Sequence, residues 1–84
     1  MNDLKVTRTT YEVDGIKEPC IIVSDGYTQV RISTCYHYIG PNTLYVSEFL
    51  GDDFNGTDEV IGDFNLLSDF DAIEIAKECS AYIR

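Results

Sequence analysis

Two Asp-Gly pairs constrain the fold of this chain more than any other feature of its sequence. Asp14-Gly15 and Asp25-Gly26 each separate two runs of apolar and β-branched residues. An Asp-Gly pair between such runs is a strong hairpin signal, because both residues tolerate the positive φ angles that a two-residue turn requires. The first half of the chain is therefore expected to form antiparallel hairpins.

The turns divide the first half of the chain into four predicted strands, over residues 4–13, 19–24, 27–38 and 43–50. A third turn is expected at Gly40-Pro41-Asn42. Alternation in the third strand places Val30 and Ile32 on one face and Arg31 on the other, so one face is expected to pack and the other to meet water. In the fourth strand Glu48 shares a face with apolar residues, which indicates partial cover on both sides.

From Ser68 onward the sequence changes to a helical period. Ser68 is a suitable N-cap, and Asp69 and Asp71 fall in the first turn, where the positive end of the helix dipole favours carboxylates. Apolar residues then recur at helical spacing, namely Ala72, Ile75, Ala76, Cys79 and Ile83. This stripe predicts a C-terminal helix over residues 68–84 that packs on one face of the sheet.

The acidic connector between the fourth strand and the helix spans residues 51–67. It is long for an unstructured connection in a small domain, and Val60, Ile61 and Phe64 can pin it to the core. It is either a functional loop or contains another short strand or helix; a short fifth strand is the favoured reading. The 84 residues are thus predicted to form a single α+β domain, a mainly antiparallel sheet of four or five strands with one helix on one face.

Acidic residues are concentrated in the second half of the chain. The sequence carries 15 acidic and six basic residues, a formal net charge of -9. Residues 1–47 hold five acids and four bases, whereas residues 48–84 hold ten acids and two bases. Like charges repel and lower stability unless something offsets them. The concentration is either a solvated, solubilising surface or a surface that engages a basic partner, and it argues against direct binding to nucleic acid or an anionic membrane.

Each of the four phenylalanines directly follows an acid, in Glu48-Phe49, Asp53-Phe54, Asp63-Phe64 and Asp69-Phe70. Buried rings beside exposed carboxylates would fix the acidic groups to a firm surface. The acids expected to face a partner's Lys and Arg side chains are Asp52, Asp53, Asp58, Glu59, Asp63, Asp71, Glu74 and Glu78. Tyr36 and Tyr38 share one face and serve either as interface anchors or as sheet packing.

Motifs for catalysis and for metal binding are missing from the sequence. There is no Gly-rich phosphate loop, G-x-S-x-G elbow or H-E-x-x-H pair. With Gly56 at the sixth position of an EF-hand loop, Gly51 and Gly62 take the first and twelfth positions, so both defining carboxylates are missing. Cys35 and His37 supply at most two zinc ligands. The expectation is a protein without enzyme activity, cofactor or specific metal site.

The three cysteines and the hydropathy profile indicate the cellular compartment in which the protein is expected to work. The cysteines are an odd number without a C-x-x-C pair, which favours reduced thiols that fill the core. No stretch approaches the roughly 18 apolar residues of a membrane span, and the first residues have no apolar signal-peptide core. A soluble, cytosolic protein is expected.

In size, acidity and expected sheet-plus-helix build, the whole chain resembles small phage-encoded anti-defence proteins, including anti-CRISPR proteins and DNA mimics, and more loosely the acidic inhibitors of bacterial nucleases. This resemblance implies an inhibitor that occupies the basic nucleic-acid-binding surface of a protein or ribonucleoprotein complex in the host cytosol. The alternative is a structural or assembly module, such as a homodimer through a sheet face or edge. In that case the acids serve only solubility, and Tyr27, Tyr36 or Tyr45 does the binding.

Overall fold

The computed structural model describes residues 3–34 and 42–83, which form five strands and one α-helix. The strands are β1 (Lys5–Val13), β2 (Ile16–Ser24), β3 (Thr28–Ser33), β4 (Thr43–Leu50) and β5 (Asp53–Ile61). A short 3-10 helix at Phe64–Leu66 leads into α1 (Asp69–Cys79). The strands form one antiparallel sheet in the order β1-β2-β3-β4-β5, so each strand pairs with its neighbour in sequence. The predicted α+β class is confirmed.

The two Asp-Gly pairs form different turns. Asp14 (φ 52°) and Gly15 (φ 80°) make the expected two-residue hairpin turn between β1 and β2. Between β2 and β3 the connection is longer, and there the Asp25 carboxylate accepts hydrogen bonds from the backbone N–H groups of Tyr27 (2.9 Å) and Thr28 (2.7 Å). These bonds hold the pKa of Asp25 below its usual value. The aspartate therefore acts through its backbone in one turn and through its side chain in the other.

Most of the expected acidic connector is strand β5. A two-residue turn at Gly51-Asp52 joins β4 to β5, and Gly51 has a positive φ of 61°. Glycine at the first turn position is typical of a type II′ hairpin. β4 pairs Glu48 with Gly56 and Phe49 with Phe54, so Asn55 is the extra residue of a β-bulge. The fifth strand is nine residues long, longer than the short strand that the sequence suggested.

One face of the sheet packs against α1 and holds the core. We call it the covered face. The buried apolar residues are Ile21, Val23, Val30, Ile32, Leu44 and Val46 from the strands, Ala72 and Ala76 from α1, and Ile83 beyond it. The alternate residues of β2, β3 and β4 point to the opposite face, on which the structure places no described helix. We call this second side the open face.

The helix begins where the sequence predicted and ends earlier. Ser68 and Asp71 form a reciprocal capping box, with N–H···O distances of 3.1 and 3.0 Å. α1 ends at Cys79, although residues 68–84 were expected to be helical. The Ser80 hydroxyl then accepts hydrogen bonds from the backbone N–H groups of Tyr82 and Ile83, both at 3.1 Å. Ile83 is buried as its spacing suggested, but a turn rather than the helix carries it into the core.

Candidate functional site

The eight acids predicted to face a partner lie at the surface. Seven are exposed, and Asp63 is half-buried. Asp52 lies in the β4–β5 turn, three of the acids lie on β5, Asp63 caps the 3-10 helix, and the last three lie on α1. The β5 acids are Asp53, Asp58 and Glu59, and the α1 acids are Asp71, Glu74 and Glu78.

Two of these acids, Asp58 on β5 and Glu78 on α1, lie near the Cys79 thiol at the end of α1, and Glu74 lies on α1 close to Glu78. Asp58 points from β5 toward the covered face, opposite Val46. Burial raises the pKa of the half-buried Cys79 thiol, and the nearby Asp58 and Glu78 carboxylates raise it further. Glu74 lies one turn before Glu78 on the same exposed side of α1. We call Asp58, Glu74 and Glu78 the acidic edge.

The remaining predicted acids are not part of the acidic edge. Glu59 points to the open face opposite Tyr45, so the adjacent Asp58 and Glu59 lie on opposite sides of the sheet. The Asp63 carboxylate accepts a hydrogen bond from the Asn65 N–H at 3.0 Å. Asp71 is engaged in the capping box, which holds its pKa below the usual value. Asp63 and Asp71 therefore stabilise local structure.

Ion pairing is sparse among residues 3–34 and 42–83, where the structure contains one salt bridge. Arg8 on β1 contacts Asp69 at 3.1 Å and donates a second hydrogen bond to the Leu67 carbonyl at 2.9 Å. These contacts tie the start of α1 to the edge of the sheet. Lys77 is the one basic residue among the described positions from 48 onward. Within that described part of the chain, the carboxylates of the acidic edge carry no salt bridge.

Large apolar side chains are exposed beside the acidic residues. The expectation of buried rings next to exposed carboxylates is wrong for Phe54 and Phe70, whose exposed fractions are 61% and 70%. Leu66 and Ile61 are also exposed, at 77% and 87%. Phe70 precedes Glu74 by one helical turn, so an exposed ring adjoins the acidic edge.

Glu48 was expected to be an exposed carboxylate beside a buried ring. Its carboxylate is instead buried on the covered face. One carboxylate oxygen accepts a hydrogen bond from the Asn55 side-chain amide at 2.7 Å, and the other accepts one from the Ser80 hydroxyl. The bulge of β5 supplies Asn55, and the C-cap of α1 supplies Ser80. Glu48 therefore joins β4, β5 and the end of α1, and it is not available to a partner.

The open face holds a group of polar and aromatic residues that the sequence analysis did not single out. The Arg31 guanidinium lies 4.1 Å from the ring centroid of Tyr11 and 5.1 Å from that of Phe49. The Tyr11 hydroxyl donates to the Ser33 hydroxyl at 3.1 Å, and the hydroxyls of Ser47 and Thr57 lie 3.0 Å apart. Strand alternation placed Arg31 on this face, but its aromatic neighbours depend on the pairing of β1 with β2 and of β3 with β4.

Of the cysteine, histidine and tyrosine residues that the sequence singled out, some lie within the described ranges and some lie outside them. Cys20 and Cys79 are free thiols, and burial raises the pKa of Cys20 although Arg31 partly opposes it. Cys35, Tyr36, His37 and Tyr38 lie outside the described residues. Within residues 3–34 and 42–83, no three His, Cys, Asp or Glu side chains are placed to hold a metal ion.

Comparisons of the chain with protein-family models, with curated proteins and with solved structures found no match. Across the ranges that the structure describes, no helix has both the length and the apolar character needed to cross a membrane. Any function must therefore be argued from the chain's own surfaces. Two surfaces stand out, the acidic edge beside α1 and the Arg31 group on the open face.

Proposed function

We propose that this protein is an inhibitor that binds the basic, nucleic-acid-binding surface of a protein or ribonucleoprotein complex and blocks it by occupancy. The acidic edge, Asp58, Glu74 and Glu78, contacts the partner's Lys and Arg side chains. Phe70 anchors the contact beside it. The inhibitor needs no chemical step, since a bound acidic surface excludes nucleic acid from the same groove.

The observation that carries this proposal is the exposure of Phe70 (70%) one helical turn before Glu74, which has no salt bridge within residues 3–34 and 42–83. An exposed apolar side chain that adjoins charged groups can contribute to a binding surface, because contact with a partner withdraws it from water. Protein interfaces combine such apolar anchors with a polar, charged surround. The combination therefore favours a binding surface over a purely solvating one.

The electrostatics of the acidic edge suit a basic partner. At 1.5 Å per residue, Glu74 and Glu78 are separated by a rise of about 6 Å along α1, against a phosphate spacing of about 3.4 Å on each strand of duplex DNA. A net charge of -9 accelerates association with a positively charged groove, and added salt weakens that attraction. Caps and the Glu48–Ser80 contact hold α1 in place, so the carboxylates are presented from a firm element.

Affinity capture from a bacterial lysate tests the proposal. The tagged protein is used at low and moderate salt, with and without competing DNA or RNA, and the retained proteins are identified. The expected result is a nucleic-acid-binding protein that is retained at low salt and released by nucleic acid. Retention of the protein's own copies alone, or of partners that ignore both salt and nucleic acid, would reject the proposal in favour of an assembly module.

A pair of matched variants locates the contact. Glu74→Lys combined with Glu78→Lys changes the net charge by the same amount as Asp3→Lys combined with Glu12→Lys, and all four positions are exposed. We expect the first pair to abolish capture and the second to retain most of it. Equal losses would show that net charge, rather than the acidic edge, governs binding. Thermal unfolding of both variants checks that each remains folded.

A further inference from the structure

The Arg31 guanidinium on the open face lies against two aromatic rings. The rings are those of Tyr11 and Phe49, whose centroids are 4.1 and 5.1 Å from the guanidinium carbon. Such packing restricts the side chain and so lowers the entropy lost when it binds an acceptor. Arg31 is therefore positioned on the open face before any ligand arrives.

The hydrogen-bonding capacity of Arg31 is not used by the part of the chain that the structure describes. Its Nε atom is buried, and no residue in 3–34 or 42–83 accepts a hydrogen bond from it. The single salt bridge in those ranges belongs to Arg8 and Asp69. A buried donor without an acceptor is unfavourable, so the described residues leave Arg31 incompletely hydrogen-bonded, and the terminal nitrogens of its guanidinium are the groups that a ligand would contact.

Hydroxyl groups next to Arg31 add further donors. The Ser33 hydroxyl accepts from Tyr11, so that bond does not use the proton of Ser33 itself, although the residue is only 2% exposed. In the pair formed by Ser47 and Thr57, one hydroxyl donates to the other, and the second proton is likewise left over. Ser47 lies directly opposite Arg31 in the pairing of β3 with β4. The guanidinium and two hydroxyl protons thus belong to one group of donors.

Two shallow depressions flank Arg31 and differ in charge. The smaller, about 230 Å³, is also lined by Asp52, whose carboxylate repels an anion. The larger, about 310 Å³, is lined by Ser33, Ser47 and Thr57, and none of the described residues that line it is acidic. An anion is therefore favoured in the larger depression, on the hydroxyl side of Arg31.

We propose that this depression binds the side-chain carboxylate of an aspartate or glutamate from a polypeptide partner. A carboxylate matches the fork of a single guanidinium. A phosphate dianion would meet roughly twice the repulsion from the chain's net charge of -9. The depression is also shallow, which suits a side chain presented by a larger surface better than a small molecule that must be enclosed. This site is separate from the acidic edge and does not depend on it.

An NMR titration tests the proposal directly. The Arg31 Nε–H resonance is followed while N-acetylglutamate amide, a blocked glutamate, is added to the ¹⁵N-labelled protein. N-acetylglutamine amide is the matched neutral probe, and inorganic phosphate tests the competing chemistry. We expect the Arg31 resonance and the backbone amides of Ser33 and Ser47 to shift with the glutamate probe alone. No shift at Arg31, an equal shift with the glutamine probe, or a larger shift with phosphate would overturn the proposal.

Two variants with the same chemical change separate this site from general charge. Arg31→Lys keeps the charge but loses the fork, so the affinity for the glutamate probe should fall by about tenfold, the factor for one lost charge-assisted hydrogen bond. Arg8→Lys makes the same change on β1, and it should leave the titration unaltered. Equal weakening in both variants would contradict a specific site. The Glu74→Lys, Glu78→Lys variant keeps Arg31 and is less negative, so it should bind the probe at least as tightly as the wild-type chain, which distinguishes failure of this site from failure of the proposed inhibitor surface.

Discussion

Strands β3 and β4 each carry one charged residue, Arg31 on the open face and Glu48 on the covered face. The surroundings of these two side chains differ. On the covered face, Glu48 is buried and accepts hydrogen bonds from Asn55 and Ser80. On the open face, Arg31 rests against two aromatic rings while its Nε has no acceptor among the described residues. Both carboxylate oxygens of Glu48 therefore have hydrogen-bond donors from the chain, whereas Nε of Arg31 has no acceptor among the described residues.

This difference follows from what covers each face. A carboxylate beneath a packed helix loses its water, so the chain must supply every hydrogen bond that the carboxylate needs. A guanidinium on the open face keeps part of its hydration, and the rings stabilise it through contacts that use no hydrogen bonds. The open face can therefore retain unused donors for a partner, whereas the covered face cannot.

The largest expected effect comes from two neighbouring isoleucines on β2 that point to opposite faces. Ile21 is fully buried in the core, and Ile22 is partly buried on the open face, opposite Arg31. We expect Ile21→Ala to lower the free energy of unfolding by about 2 to 5 kcal/mol. Ile22→Ala should cost about 1 kcal/mol, because the Ile22 side chain is only partly buried and less apolar surface is withdrawn from water. Urea denaturation of the two variants measures both values.

Equal losses for the two isoleucine variants would contradict the assignment of an open face. That result would mean that something packs on Ile22 in solution as tightly as α1 packs on Ile21. Sedimentation of the wild-type chain at several concentrations would then show whether a second copy provides that cover, since dimerisation makes stability depend on concentration.

Much of the covered face could be predicted from the sequence. The Asp14-Gly15 turn, the alternation of Val30 and Ile32, and the Ser68 cap are local signals, and the structure confirms each of them. Strand β5 was harder to recognise because Gly56 and the bulge at Asn55 interrupt its alternation. The end of α1 was misjudged because the turn after Ser80 buries Ile83 at a position that also suits a longer helix.

The two candidate surfaces could be predicted only in part, because each depends on contacts between distant segments. The sequence identified Asp58 and Glu78 as candidates, but their proximity around Cys79 requires α1 to lie beside β5. It grouped Asp58 with Glu59, which the alternation of β5 separates. It placed Arg31 on the wet face, yet Tyr11 reaches Arg31 from β1, across β2. Such neighbours follow from strand register rather than from any local motif.

The next largest loss of stability should come from removing the buried Glu48 carboxylate on the covered face. Glu48→Ala leaves Asn55 and the buried Ser80 without their acceptor, and we expect a loss of about 1 to 3 kcal/mol. Glu48→Gln should cost less, because its amide oxygen can still accept one of the two hydrogen bonds and the side-chain volume is kept. Glu12→Ala, at an exposed position, should be nearly neutral. If Glu48→Ala were as mild as Glu12→Ala, the contact would not hold the end of α1.

The N-cap of α1 gives a smaller effect that depends on pH. Ser68→Ala should cost about 1 kcal/mol at neutral pH. The Ser68 backbone N–H and, secondly, the Ser68 side chain depress the pKa of Asp71 in the folded state, so their stabilisation is present above the ordinary aspartate pKa and is lost as pH falls through the folded pKa. Ser68→Ala removes only the side-chain part. Urea denaturation at neutral pH and at a pH below the folded pKa should therefore show a smaller cost of Ser68→Ala in acid. An unchanged cost would argue against the capping box as its source.

The smallest effects test how the open face holds Arg31. Tyr11→Phe removes the hydrogen bond to Ser33 and keeps the ring beside Arg31, so a loss of about 0.5 to 1 kcal/mol is expected. Tyr11→Leu removes the ring as well, and it should lower the free energy of unfolding by about a further 0.5 to 1 kcal/mol. Tyr27→Phe, at a position 66% exposed, is the control and should be near neutral. If Tyr11→Leu costs no more than Tyr11→Phe, the ring does not stabilise the guanidinium, and Arg31 is held no differently from an ordinary surface arginine.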